Sequence, residues 1–156
     1  MNESAQLENE FCAQVTGLYD VVQAWLPHGQ LVGHREALQI AEEAIGTYVS
    51  EKLVLFDQNR NVVATFQPIG ASVIGADGRV DVRGKYDNVS LLLLKRPGSS
   101  LTASPGELPA RGRLYFNTIE VDGWYWIEDT LRGKAHLLDE KLLRDLLWRV
   151  SDYEFA

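Results

Sequence analysis

Between Lys52 and Lys95 the apolar residues fall into four short runs. Turn-forming residues separate them: Asp57-Gln58-Asn59-Arg60-Asn61, Gly75-Ala76-Asp77-Gly78 and Lys85-Tyr86-Asp87-Asn88. Runs of β-branched and aliphatic residues bounded by Asp, Asn and Gly predict an antiparallel meander. Its strands are expected near Lys52–Phe56, Val62–Phe66, Ala71–Ile74 with Arg79–Val82 across the turn, and Val89–Lys95. Val80-Asp81-Val82-Arg83 alternates strictly, which predicts one wet face. Leu91 to Leu94 does not alternate and is expected to be covered on both faces, as a central strand is. Pro68 is expected at a strand break or an edge, because it has no N–H to give to a ladder.

A different period precedes the meander. Leu7, Phe11, Val15, Leu18, Val22 and Trp25 recur at spacings of three and four, predicting a helix from about Ser4 to Leu26. Asn2 or Ser4 can cap it, and Pro27-His28-Gly29 ends it. A second helix is predicted from about His34 to Tyr48. Ala37, Leu38, Ala41, Ala44, Ile45 and Tyr48 would face inward, Glu36, Glu42 and Glu43 would face outward, and Gly46 weakens the last turn.

Beyond the meander, residues 96–111 are rich in Pro, Gly and Ser without periodicity, and a long mobile loop is expected there. A hairpin is expected next, with Arg113–Val121 turning at Asp122-Gly123 into Trp124–Ile127. That register puts Trp124 and Trp126 on one side and Tyr125 and Glu120 on the other. A last helix is predicted to start at Asp139 as cap, with Leu142, Leu143, Leu146, Leu147 and Val150 as its apolar face. The pattern therefore describes a single α+β domain over 1–156. It comprises an antiparallel meander sheet of about six strands, with two N-terminal helices and one C-terminal helix packed mainly on one face.

Composition adds bounds. Apolar residues make up 46% of the chain and charged residues 24%, which suits a globular core. No apolar run approaches the roughly 20 residues of a membrane helix, and the first residues lack a basic-then-apolar signal, so no membrane partner and a cytoplasmic location are expected. The net charge of −7 is uneven: residues 1–60 carry nine acidic and three basic groups, whereas residues 79–113 carry seven basic and three acidic. Overall acidity disfavours nucleic acid as a partner, while the split charge suits steering of a protein partner or self-association.

Candidate chemistry is sparse. Cys12, the only cysteine, lies beside Phe11 at the stripe's edge and reads as an inert thiol. His28, His34 and His136 lack the further ligands a zinc site needs, and no metal or cofactor is expected. Glu120, Asp122, Glu128 and Asp129 do not form a carboxylate pair facing one cleft. No phosphate loop or dinucleotide fingerprint is present. The binding candidates are Tyr125 and Trp148 as exposed aromatics, Glu120 and Glu128 beside the hairpin, and Arg96, Arg111 and Arg113 at the base of the loop. Together these features describe a soluble interaction module: a homodimer, or an inhibitor, chaperone or immunity-like partner of bacterial style. The alternative is a small-ligand binder or enzyme with a pocket between helices and sheet, using Glu120, Tyr125, Glu128 or His136.

Overall fold

Seven strands form one antiparallel sheet in the computed structural model, which describes residues 3–73, 75–96, 119–129 and 131–155. They follow sequence order: β1 (Val32–Glu42), β2 (Gly46–Phe56), β3 (Val62–Gly70), β4 (Arg79–Arg83), β5 (Asn88–Leu94), β6 (Gly123–Asp129) and β7 (Lys134–Leu137). Helix α1 (Glu3–Trp25) precedes the sheet and α2 (Glu140–Ser151) follows it. Both pack on the same face, in a core that joins Phe11, Val15, Leu18, Tyr19 and Val22 of α1 to Leu143, Leu146, Leu147 and Val150 of α2. Each such side chain contributes about 1.5–3 kcal/mol on burial. The expected α+β class and antiparallel meander hold. Among the described residues there are two helices, against the three expected, and seven strands, against about six.

The second helix is a β-hairpin. Residues 34–48 lie in β1, its turn and the start of β2, paired in register from Val32↔Phe56 to Glu42↔Gly46. Alanine and glutamate favour helix by only tenths of a kcal/mol per residue, which eleven cross-strand pairs override. Gly46, at φ +108, closes the turn in a conformation that costs glycine least. Ala37, Ala41 and Ala44, expected to face inward, are exposed.

Two further expectations change. Ala71–Ile74 supplies no strand among the described residues, only an isolated bridge between Val73 and Ala76. The Asp122-Gly123 hairpin is absent: Gly123 already pairs with Leu94, and β6 runs antiparallel to β5 through Leu91↔Trp126. Asp122 instead accepts a hydrogen bond from the Arg96 backbone N at 2.7 Å, joining the exit of β5 to the entry of β6. The loop 96–111 and the strand Arg113–Val121 lie outside the described residues, apart from Arg96 and residues 119–121, which are not strand.

β2 and β3 pair only from Leu53↔Phe66 to Phe56↔Val62, although both strands continue past Leu53 and Phe66. The carbonyls of Glu51 and Phe66 flank the gap. The hydroxyl of fully buried Tyr19 donates to both, at 2.8 and 3.2 Å. Burial first, and the negative charge of Glu51 second, push the Tyr19 hydroxyl far above its ordinary value, so it stays a donor. Pro68 follows two residues after Phe66, on the same side of β3 by strand alternation, where no β2 partner needs an N–H. It pairs across to Val80 beside a register shift. The carboxylate of Glu42, at the hairpin end, accepts from the backbone N of Ala71 at 3.0 Å, from that of Ser72 at 2.8 Å, and from the Tyr48 hydroxyl.

The last helix begins as expected. Asp139 is its N-cap, with Oδ1 accepting from Leu142 N at 2.7 Å. Its far end docks on the β4–β5 turn, where Val150 O accepts from Tyr86 N at 2.8 Å. A Cβ on Gly84 would sit 2.2 Å from that same oxygen. Tyr19→Phe is expected to lower unfolding free energy by about 1–2 kcal/mol in urea denaturation, because it leaves buried carbonyls unpaired. Gly84→Ala is expected to cost about 2–3 kcal/mol by forcing α2 off the turn, read by the same titration.

Candidate functional site

The sequence-derived candidates do not converge on one site. Tyr125 is buried, 5% exposed, on the sheet face opposite the helices. It packs with Leu94 and Ile119 in a small second cluster edged by Leu92, Ile127 and Ala135. Its hydroxyl donates to Val121 O at 2.7 Å, and burial raises it above its ordinary value. Strand parity had placed it correctly; the cluster that covers it removes it as an exposed contact. Trp148 is 55% exposed on the outer side of α2, as expected. Arg96 and Asp122 pair near the start of β6, and Glu120 is exposed beside them. Arg111 and Arg113 lie outside the described residues.

Glu128 belongs to a different group, at the end of the sheet where α2 meets the β4–β5 turn. Trp126 and His136 are cross-strand partners, and their rings stack at 5.6 Å between centroids. The Arg149 guanidinium lies over the Trp126 ring at 5.3 Å and reaches Asp87 Oδ2 at 3.4 Å. Glu128 stands 3.6 Å from His136 and 3.8 Å from Lys134. Around this fixed stack, Tyr86 and Trp148 are exposed, and Leu131 projects from the β6–β7 turn at 94% exposure. Asp129 shapes that turn by accepting from Leu131 N at 3.0 Å, and Gly133 sits at φ +69. The unread signal for β7 was this Asp129-to-Gly133 turn, which folds Lys134–Leu137 back onto β6.

The helix-free sheet face is polar over β3 and β4. Asp81, expected to be wet, is buried there: Arg79 donates to it through Nε at 2.7 Å and Nη2 at 3.0 Å, and Ser90 Oγ donates at 2.9 Å. That bond raises the Arg79 guanidinium above its ordinary value. The network satisfies itself and leaves little to offer a ligand.

A cleft of about 550 Å³ lies between α1 and the sheet, lined by Leu7, Phe11, Ala76, Asp77, Leu93 and Lys95 among others. Glu120, Tyr125, Glu128 and His136, the residues expected at a pocket between helices and sheet, do not line it. Lys95 Nζ bonds Glu10 Oε1 at 3.1 Å. The Asp77 carboxyl makes no hydrogen bond among the described residues, and burial raises it above its ordinary value; Lys95 opposes that shift, while Glu10 and Asp122 add to it. Cys12 lies elsewhere, its Sγ donating to Val49 O at 3.5 Å, and burial raises the thiol above its ordinary value.

Among the described residues, no group of three His, Cys, Asp or Glu is placed to hold a metal ion, and no helix is long and apolar enough to cross a membrane. No protein-family model, curated protein or solved structure matches the chain.

Asp77 gives a signed pH dependence. Its folded-state value lies above the ordinary 3.8, so the folded chain holds this proton more tightly than the unfolded one. Stability from this group therefore falls as pH rises from 3.8 through the folded value, and is level above it. Asp77→Asn is expected to remove that decline and to stabilise the chain at neutral pH. Urea midpoints compared between about pH 4 and 7 check it; an unchanged pH slope counts against the assignment.

Proposed function

We propose that this chain is a non-enzymatic protein-interaction module, of the inhibitor, chaperone or immunity-like kind, acting on a protein partner or on itself. The observation that carries the reading is the aromatic end of the sheet. Arg149, Trp126 and His136 form a pre-ordered stack, and Trp148, Tyr86 and Leu131 stand exposed around it. Tryptophan, tyrosine and arginine dominate binding hot spots: the two aromatics bury a large area with few rotamers to freeze, and arginine adds a planar guanidinium with several donors, here already held over the Trp126 ring. The ion pairs of Glu128 with Lys134 and of Arg149 with Asp87 suit a polar rim, which excludes water without adding much affinity.

A second reading rests on the cleft under α1. Its volume suits a small ligand, and an apolar floor of Leu7, Phe11 and Leu93 beside Asp77, Glu10 and Lys95 offers orientation through few polar groups. Those groups place no nucleophile beside a base, so the reading is one of binding.

Photo-crosslinking from position 148, in the cells that make the chain, is expected to give a discrete adduct with one protein. Gln58, exposed in the β2–β3 turn, provides the control position. Tyr86→Ala combined with Trp148→Ala is expected to weaken that association by about tenfold or more while leaving the unfolding free energy, from urea denaturation, within ~0.5 kcal/mol. Equal labelling from positions 148 and 58 would remove the reading.

A further inference from the structure

The two edges of the sheet are unequal. β7 has four residues, and β1 has eleven, paired among the described residues with β2 alone. An unpaired edge is a row of backbone donors and acceptors, and proteins that keep it solitary blunt it with proline, lysine, a bulge or a short strand. β1 has no proline, no lysine and no bulge against β2, and it is not short; its charged residues are Arg35, Glu36 and Glu42, of which Arg35 is tied to α1 and Glu42 to the β3–β4 connection.

The direction of the free groups follows from the hairpin turn. Glu42 O accepts from Ile45 N, so Glu42 turns its backbone groups toward β2. By alternation, Gly33, Arg35, Ala37, Gln39 and Ala41 present their N–H and C=O at the free edge. We propose that this edge pairs antiparallel with β1 of a second copy, about a two-fold axis at Ala37, making one continuous sheet. Ala37 is the midpoint of β1, so this register overlaps the whole strand and every outward-facing residue meets another. Ala37 then faces its own copy, Gly33 faces Ala41, and Arg35 faces Gln39. Across the remaining pairs, Glu36 meets Leu38, His34 meets Ile40 and Val32 meets Glu42, so no like charges stand directly opposite.

The side chains leave the edge open. Arg35 is turned onto α1, where Nη2 donates to Asp20 at 2.6 Å and Nε to Gln23 at 2.8 Å. A groove of about 420 Å³ beside Ala37, lined also by Thr16, Val49 and Ser50, leaves room between α1 and the hairpin. Val32 and Val49, exposed at 63% and 64%, flank the same hairpin. The inference rests on the interaction-module reading and narrows its self-association branch to one surface.

Sedimentation equilibrium of the full chain, with hydrogen exchange of β1 amides, tests it. A dimer mass is expected at tens of micromolar, with the amides of Gly33, Arg35, Ala37, Gln39 and Ala41 exchanging slowly. Ala37→Pro removes an N–H that β2 does not use, and Ala37→Lys sets two ammonium groups opposite each other at the axis. Each is expected to raise the dimer dissociation constant by about tenfold or more, and the lysine variant covers the case in which the proline variant fails to fold. A monomeric wild-type chain overturns the proposal, as does a dimer that survives Ala37→Lys or whose edge amides exchange freely. A monomer that still crosslinks a partner from position 148 overturns the self-pairing and leaves the broader reading standing.

Discussion

β2 parts from β3 after the Leu53↔Phe66 pair while both strands go on, and each backbone group released there needs a partner away from water. Three side chains provide for the gap. Tyr19 donates to the carbonyls of Glu51 and Phe66, Pro68 contributes no N–H on the side where β2 has left, and Glu42 accepts from Ala71 N and Ser72 N. These contacts link α1, the tip of the β1–β2 hairpin and the β3–β4 connection. Moving any one would expose unpaired groups in the others, which ties helix position to hairpin position more firmly than apolar packing alone, since packing tolerates slippage that a hydrogen bond does not. Gly70 leaves room for that carboxylate: a Cβ there would lie 2.6 Å from a Glu42 oxygen and would push it off the backbone N of Ala71 and Ser72.

Much of this was legible in the chain, and the failures share a cause. The period of three and four in α1, the Asp139 cap of α2 and the β-branched and aliphatic runs of β2 to β5, bounded by turn residues, all express local rules that the core reinforces. Over residues 34–48 alanine and glutamate set a helical period, while the strand pairing that decides the matter lies across the chain. Leu38 and Ile40, two apart, were the strand signal there, and Gly46 was the turn signal. At Asp122-Gly123, turn chemistry was read where a carboxylate holds together two strands whose pairing spans a long insertion. For the candidate site, parity placed Trp124 and Trp126 together and Tyr125 opposite, but burial is set by neighbours. Ile119 and Leu94 cover Tyr125, and no local pattern reports that.

Asp81 shows the same limit from the polar side. Alternation in β4 assigns it rightly to the face away from the helices, yet its carboxylate is buried because Arg79 and Ser90 close over it. A buried charge pair contributes little net stability, since desolvation offsets the attraction. Its effect is on geometry: it fills the middle of the helix-free face with a saturated network, flanked by the apolar cluster of Leu94, Ile119 and Tyr125 on the β6 side. That face is thus largely committed, so among the described residues the groups left for a partner lie at the aromatic end, along the β1 edge and in the cleft under α1.

These two surfaces differ in the kind of recognition they support. The aromatic end offers side chains, so affinity there depends on a partner shaped to Trp148, Tyr86 and Leu131. The β1 edge offers backbone, which is indifferent to side-chain identity and selects by length, register and the avoidance of like charges. An eleven-residue edge meets its most complete match in another eleven-residue edge, and the placement of the outward-facing parity on the midpoint Ala37 makes the match self-complementary. The two kinds of recognition meet the same hairpin constraint: Glu42 accepts from Tyr48 and from Ala71 N, which fixes the distal end of the hairpin that carries this edge to the β3–β4 connection.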